Sequence, residues 1–359
     1  MLYPTFIYHL MFVVPVLLAL ISFDMKKERV NKIVFIYIFF LIMLGGLRGD
    51  FTTDYRHYVS WYEYVRDVNF SSLLDVWGEP GFVFLNWLCS RFFSDAVPFF
   101  VVCMSIILLP VYYLSCKCKN SFLFVLLYLS FGIMFSSYNV MREVMAASLF
   151  LYTFTYIKNG SCLKYILFVL LISTIHKSCL ILLPFYYILR LKSSAKSILL
   201  FLVVVGICFL KLDYIMDLFD SLLYGGKFAS RLIGNIGSIT IQAFVVPFLF
   251  ILVVLFTFFT DENQTSLSET RMNENNIIIN SALVSLGFFL FAQKIPILVR
   301  FTYFFFPFVF YGFVNNLMRF PKEKKVFFVW GTVCFCFLYY FIFGQYYNVF
   351  YFYWQNQTL

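Results

Sequence analysis

The sequence predicts an all-α, polytopic integral membrane protein with about 12 transmembrane helices, within a range of 10 to 13. Hydrophobic residues make up 62% of the 359 residues and charged residues only 13%, whereas soluble domains average about 25% charged residues. Apolar runs of membrane-spanning length recur from one end to the other, without the alternating pattern of barrel strands. Because backbone polar groups in lipid must be satisfied internally, helices are expected. We expect residues 1–359 to form one transmembrane domain.

The apolar runs define the individual spans. In chain order they are predicted at 4–22, 32–47, 97–115, 120–138, 141–157, 163–175, 178–190, 196–212, 239–260, 276–293, 297–318 and 325–343. The first run lacks the basic start and small-residue end of a cleaved signal peptide, so we expect it to remain as a span. Residues 81–93 are apolar but short and interrupted. They are predicted to form a re-entrant or interfacial helix within the loop 48–96.

The basic loops predict the orientation of these spans. Lysine and arginine cluster in five short loops, 24–32, 116–119, 158–164, 190–196 and 319–325. Short loops rich in these residues stay in the cytoplasm. Twelve crossings then leave both termini outside. The loops 48–96 and 212–238 are predicted on the outer (periplasmic) side, and the loop 261–275 on the cytoplasmic side.

The spans around His176 are too short for a full crossing. About 12 residues separate His176 from Lys164 on one side and from Arg190 on the other, and a helix of 12 residues covers only about 18 Å of a hydrocarbon core of about 30 Å. Two arrangements remain: a helical hairpin that turns inside the membrane at His176, or one long broken span. The hairpin is preferred because the broken span would place the basic loop 319–325 on the wrong side.

Several other classes of function are excluded or disfavoured by composition. The net charge of +9 is explained by the basic loops, and no stretch is dense enough for nucleic-acid binding. The nine cysteines lie in or beside apolar runs, or flank lysines in the 116–119 loop, where they are expected to stay reduced. Only three histidines exist, without metal-ligand spacing, and no phosphate-binding loop is present. We therefore expect no metal and no cofactor.

Arginines on the predicted outer side indicate an anion site. Arg142 and Arg300 head long apolar runs on the side where arginine is disfavoured as an anchor, and Arg48 follows the second span. Charged residues at such places are usually functional, although an arginine reaching the outer headgroups is the plain alternative. Guanidinium groups bind phosphate oxygens bidentately, so Arg48, Arg142 and Arg300 are predicted to bind a diphosphate. Arg231, in the loop 212–238, is a fourth candidate.

Carboxylates and a histidine on the same side are candidates for proton transfer. The catalytic candidates are Asp54, Glu79, Glu143 and His176, because a partly desolvated carboxylate or imidazole can act as a general base. A lone histidine packed between helices is more often structural, so a packing role is the alternative for His176. Tyr55 and Tyr58 flank Asp54 and would form an aromatic wall typical of sugar-binding clefts. Without a bound nucleotide, the outer-face reaction needs a donor that arrives activated, and a lipid-linked sugar diphosphate meets that need.

Five motifs in order resemble the EpsG/Wzy-like bacterial polysaccharide polymerases. They are the Arg48…Asp54-Tyr55-x-x-Tyr58 pattern, EPGF at 79–82, NVMREVMAAS around Arg142, HKSCLILLP from His176, and VRFTYFFFP around Arg300. The resemblance covers most of the chain. It implies a GT-C-like glycosyltransferase of the bacterial inner membrane that acts at the periplasmic face without a metal.

The resemblance also implies a reaction, partners and residue roles. A growing O-antigen or exopolysaccharide chain would pass from undecaprenyl diphosphate to a hydroxyl of an undecaprenyl-diphosphate-linked repeat unit. Arg48, Arg142 and Arg300 would bind diphosphate, and Asp54, Tyr55, Tyr58, Glu79 and His176 would orient or deprotonate the acceptor. The partners implied are the glycan donor and acceptor, the lipid bilayer and, as a candidate, a chain-length regulator, with no nucleic acid. The alternative functions are an O-antigen ligase, a lipid-linked oligosaccharide flippase and a membrane O-acyltransferase.

Overall fold

The computed structural model describes residues 4–22, 25–50, 52–214, 242–261 and 269–343, and all its regular elements within them are helices. The prediction of an all-α protein is confirmed. The first half contains α1 (Pro4–Ile21), α2 (Lys27–Gly46), α3 (Tyr55–Arg66), α4 (Pro80–Phe92), α5 (Val97–Lys117), α6 (Ser121–Ser130), α7 (Ile133–Ser136), α8 (Met141–Phe150) and α9 (Thr153–Lys158). The second half contains α10 (Cys162–Ser173), α11 (Phe185–Arg190), α12 (Ala195–Leu210), α13 (Gln242–Asp261), α14 (Glu269–Ala292), α15 (Thr302–Leu317) and α16 (Lys322–Phe343). Short 3₁₀ helices cover Phe70–Asp75, Lys177–Leu182 and Pro296–Phe301.

Several of these helices are long and apolar enough to cross a membrane. Within the described residues, four segments meet both conditions: Lys27–Gly46, Val97–Lys117, Met272–Ala292 and Pro296–Leu317. Shorter apolar helices of 10–17 residues lie at Met11–Ile21, Ser121–Ser130, Cys162–Ser173, Ala195–Leu210 and Val245–Thr257. The chain is therefore a helical membrane protein, and the number of 12 spans stays a prediction.

Two predicted single spans are each built from two helices. The span 120–138 breaks after α6 at Gly132, whose φ of +70° lies in the left-handed region that glycine adopts without strain. The span 141–157 breaks between α8 and α9. All ten residues of α6 are buried, so it occupies the interior of the helix packing. A helix that is apolar on every side belongs in such a place.

The chain reverses at His176, as the hairpin prediction requires. Helix α10 ends at Ser173, and the 3₁₀ helix Lys177–Leu182 packs back against it. The Tyr165 hydroxyl donates a hydrogen bond of 2.6 Å to the Leu182 carbonyl, which fixes the two arms side by side. The predicted span 178–190 is therefore a 3₁₀ helix followed by α11.

The chain divides into two compact units. The first unit comprises Met1–Tyr156, Gly160–Phe185 and Val314–Leu359. In it, α2 packs against α5 so closely that a Cβ atom on Gly46 would lie 2.6 Å from the Cα atom of Val101. The C-terminal end of α2 thus lies beside the N-terminal end of α5, and the segment between them begins and ends at the same end of the pair.

The second unit comprises Ile157–Asn159 and Tyr186–Phe313. Its helix α14 packs against α12 and α13. The Glu274 carboxylate pairs with Lys158 and accepts a hydrogen bond of 2.8 Å from the Tyr311 hydroxyl. The Asn280 amide donates to the carbonyls of Leu189 and Leu191. These contacts tie the helices of this unit together at their polar positions.

The segment between α2 and α5 folds into a small helical layer. Helix α3 was not among the predicted elements, because the charged stretch 48–58 favoured a polar loop. The buried residues of α3, Tyr58, Tyr62 and Val65, repeat at helical spacing. Val65 joins a core that also contains Leu73, Val76 and Val83, with Trp61, Val68 and Trp87 packed against it. The helix predicted at 81–93 is found as α4.

Candidate functional site

Four segments that are distant in the sequence meet in the first unit. They are residues 52–58, 79–82, 138–143 and 174–176. Each contains a residue that the sequence predicts to bind substrate or to transfer a proton. They meet because α5 and α10 both pack against α8, and α4 packs against α3 and α5.

The start of α8 is held by residues 52–58, which include the first turn of α3. The Tyr58 hydroxyl donates to the Asn139 carbonyl at 3.0 Å and accepts from the Met141 amide at 3.2 Å. Thr52 donates to the Tyr138 carbonyl at 3.3 Å, and Thr53 bonds to the Asn139 side chain at 3.0 Å. Amides in the first turn of a helix have no partner within the helix. Tyr58 therefore serves as an external cap that sets where α8 begins.

Charged groups surround the Tyr58 hydroxyl. Burial raises the pKa of Tyr58 above its usual value. The positive charges of Arg142 and Arg48 act in the opposite direction on this pKa, and the Asp54 carboxylate raises it further. These three charges thus lie within electrostatic range of one phenol. Because burial has the largest effect, Tyr58 stays protonated and keeps its hydrogen bonds at neutral pH.

The Glu79 carboxylate joins two other predicted site residues. Its Oε2 atom accepts from the Arg142 guanidinium at 2.5 Å, and its Oε1 atom lies 3.5 Å from Nδ1 of His176. The side chain of Glu79 is 12% exposed, that of Arg142 is 33% exposed and that of His176 is 24% exposed. Arg142 also lies over the Phe82 ring, 5.6 Å from its centroid. One carboxylate therefore lies between a cation and an imidazole, at the edge of the buried region.

The local backbone explains why Glu79 is available for these contacts. Glu79 is the extended residue before Pro80, which occupies the first turn of α4. The residue before proline is driven to this conformation, and proline at a helix start lacks only an amide that would have had no partner there. The Glu79 side chain makes no capping bond to α4. It is therefore able to pair with Arg142 and His176.

A close backbone contact brings α4 to the tip of the His176 hairpin. The Gly81 amide donates to the Thr174 carbonyl at 2.8 Å. A Cβ atom at position 81 would lie 3.0 Å from that same carbonyl oxygen, and closer still to the Thr174 side chain. Only glycine fits this approach without a shift. The EPGF motif thus places its glutamate beside the histidine.

Arg48 has different surroundings from Arg142. It is 4% exposed, and its guanidinium lies between the rings of Phe100 and Tyr138, 4.7 and 4.9 Å from their centroids. It also contacts the sulfur atoms of Met104 and Met141. A guanidinium enclosed between two rings is stabilised by cation–π attraction. In this arrangement the Arg48 guanidinium is enclosed by protein, and its role in binding diphosphate stays a prediction.

The remaining predicted residues are less closely joined. Asp54 is half-buried at the start of α3, and Tyr55 stacks on Phe100 with ring centroids 5.0 Å apart. Glu143 is buried in α8, and both Glu143 and Glu79 act electrostatically on the Cys179 thiol.

Arg300 is half-buried in the 3₁₀ helix Pro296–Phe301 of the second unit. Arg231 lies outside the described residues.

Some contacts at the site were not predicted from the sequence. Thr52, Thr53 and Asn139 hold the start of α8, and Phe82 supports Arg142. All four lie inside the five motifs. The residue type alone does not tell whether a threonine or asparagine hydrogen-bonds to another segment or faces solvent. Among the described residues, no three His, Cys, Asp or Glu side chains are grouped to hold a metal ion. The expectation of a metal-free site stays a prediction.

Comparison with known proteins gives one match. The model of the EpsG family matches residues 6–356, which is nearly the whole chain. No curated protein and no solved structure matches. The matched range includes the four segments that form the site and the Arg300 segment. The chain therefore belongs to the EpsG family.

Proposed function

We propose that this protein is a polysaccharide polymerase, a glycosyltransferase that extends O-antigen or exopolysaccharide chains. The growing glycan would leave undecaprenyl diphosphate and join an undecaprenyl-diphosphate-linked repeat unit at the periplasmic face of the inner membrane. Membership of the EpsG family and the membrane-spanning helices support the class of protein. The observation that carries the proposal is the Glu79 carboxylate placed between Arg142 and His176.

His176 is proposed as the general base. The Nδ1 side of its ring is turned to Glu79, so the carboxylate would hold the proton on Nδ1 and leave Nε2 to accept one. A carboxylate that orients an imidazole in this way favours the tautomer needed for proton abstraction. The distance of 3.5 Å is longer than a hydrogen bond, but such contacts often shorten when substrate binds.

Arg142 is proposed to bind the diphosphate of the donor. It is part-exposed beside the base, and a guanidinium matches the geometry of phosphate oxygens. During transfer, the acceptor oxygen forms a bond to the anomeric carbon while the bond from that carbon to the diphosphate oxygen breaks. The acceptor proton passes to His176, and the electron pair leaves with the diphosphate. Arg142 would stabilise the negative charge that grows there.

The other predicted residues take supporting roles in this proposal. Arg48 would position the start of α8 through Tyr138 and Met141, and Tyr58 would do so through the backbone. Asp54 and Tyr55 are proposed to orient the acceptor by bonding a sugar hydroxyl. Glu143 is a second carboxylate near the hairpin. The diphosphate roles predicted from the sequence for Arg300 and Arg231 stay predictions.

The test is the length distribution of surface glycan from cells that carry Arg142→Ala. The proposal expects the ladder to collapse to a single repeat unit, because export and ligation continue while polymerisation is lost. An unchanged ladder would show that Arg142 does not bind the donor. Loss of all glycan, single unit included, would favour transport or ligation.

The matched control is Arg56→Ala. Arg56 lies exposed on α3 in an ion pair with Asp50, so its removal changes the net charge of the outer side by the same amount. It should leave the ladder unchanged, provided both variants reach the membrane in equal quantity.

A further inference from the structure

The helical layer between α2 and α5 has an apolar face that nothing in the described structure covers. We define this apolar outer face by its six large hydrophobic side chains, all exposed: Phe70, Leu74, Trp77, Phe84, Leu88 and Phe92. Leu74 is 89% exposed and Trp77 is 82% exposed. Soluble surfaces rarely leave such residues together in water.

Helix α4 is apolar on two opposite sides. Its inner residues Phe82 and Val83 are buried in the layer. Its outer residues Phe84, Leu88 and Phe92 are spaced four apart and therefore follow one another along the opposite side. A second apolar side on a helix needs a cover of protein or of lipid.

Helix α3 presents the contrasting outer surface. Its outward residues Arg56, His57, Ser60 and Glu63 are polar and exposed, with the exposed Tyr64 beside them, and the exposed Asp67 directly follows the helix. On α3 the layer exposes mainly polar side chains. The 3₁₀ helix Phe70–Asp75 and α4 expose the large side chains of the apolar outer face, together with Ser71, Ser72, Asp75 and Arg91. This division is the pattern of a segment that lies at a membrane surface with one side in water.

The position of the layer in the chain points to lipid as the occupant. The layer begins after Gly46 and ends before Val97, at the same end of the membrane-spanning pair α2 and α5. Phe92 is only five residues from the start of α5. With 13 residues, α4 rises about 20 Å and is too short to cross a bilayer. Tryptophan is enriched where acyl chains meet headgroups, and phenylalanine and leucine form the apolar side of helices that lie in this interface.

We propose that the apolar outer face inserts into the outer surface of the bilayer and anchors the layer there. The acyl chains of bilayer lipids are its partner. Trp77 of this face lies only two residues before Glu79 in the sequence, so this anchor sets the height of the Glu79–Arg142–His176 cluster at the headgroup level. The anchor requires only that the chain spans a membrane, and it does not depend on the reaction proposed above.

The experiment uses the full-length protein in nanodiscs of phosphatidylcholine and phosphatidylglycerol, with or without bromine on the acyl chains. The emission of Trp77 is obtained as the difference between wild type and Trp77→Phe. The proposal expects brominated lipid to quench most of this difference emission and aqueous iodide to leave it unchanged. A second reporter, Leu74→Trp in the Trp77→Phe background, should behave in the same way.

The matched control is Ser60→Trp in the Trp77→Phe background, which places a tryptophan on the polar side of α3. Its emission should be quenched by iodide and not by brominated lipid. Quenching of Trp77 by iodide alone would place the apolar outer face in water and overturn the proposal. Protection from both quenchers would mean that protein covers the face, as in a second copy of the chain, and would overturn it too.

Discussion

The regions around Arg48 and Arg142 place the same side chain in opposite surroundings. Arg48 is 4% exposed, between two aromatic rings and two methionine sulfurs. Arg142 is part-exposed and paired with the Glu79 carboxylate beside His176. Arg48 follows an apolar run and Arg142 begins one, and the sequence predicts that both bind a diphosphate.

The difference shows that the neighbours of an arginine decide its use. Aromatic rings on both sides hold the Arg48 guanidinium in place through cation–π attraction. A carboxylate holds it through one strong contact that an anion can replace. Substitutions at the two positions should therefore separate catalysis from stability.

The largest effect is expected from Arg142→Ala, which should reduce the rate of polymerisation at least about 100-fold. Because Arg142 is part-exposed, the thermal unfolding of the purified variant should match that of wild type. The measurement is repeat-unit transfer in proteoliposomes, with the unfolding curve of the same sample. A variant that unfolds early would show that Arg142 braces the fold, as Arg48 does.

Substitution of His176 by glutamine should lower the rate of transfer about 100-fold, since it removes the proposed base. His57→Gln is the matched control, because His57 lies exposed on the polar side of α3. Its rate should equal that of wild type. Equal loss in both variants would show that the contact with Glu79 does not distinguish a catalytic histidine from a surface one.

Arg48→Ala should destabilise the protein by about 3 kcal/mol, because it leaves a cavity between Phe100 and Tyr138. Polymer yield should fall in proportion to the folded protein that remains. Thermal unfolding in detergent and the rate per folded molecule would be measured together. A variant that is as stable as wild type but inactive would show that Arg48 acts in the reaction, as a diphosphate ligand would.

Tyr58→Phe should destabilise the protein by about 1 kcal/mol, because two backbone groups at the start of α8 lose their partner. The raised pKa of Tyr58 also gives a pH dependence. Above the usual tyrosine pKa of about 10, the unfolded chain loses this proton before the folded protein does. Stability therefore falls as the pH rises through about 10, and the fall should be smaller in Tyr58→Phe. An equal fall in both proteins would contradict the burial of this phenol.

The sequence alone predicted the helical membrane class and the grouping of Glu79, Arg142 and His176 on one side. These charges lie beside apolar runs on the predicted outer side, where the rule for basic cytoplasmic loops does not explain them. The enclosure of Arg48 could not be predicted, because its rings come from residues 100 and 138 in a chain with 51 phenylalanines and 26 tyrosines. Helix α3 was missed because its apolar side has only three buried residues within a charged stretch.

The contact between Gly81 and Thr174 has a mechanical consequence. The backbones at Gly81 and Thr174 are joined by a hydrogen bond with no side chain between them, so neither can shift far without breaking that bond. The start of α4 and the tip of the hairpin therefore move as one body, which carries Glu79 and His176 together. Arg142 belongs to a different body, α8. When the cluster opens to admit a substrate, the gap should form between the arginine and this acid–imidazole pair, which stays intact as the site widens.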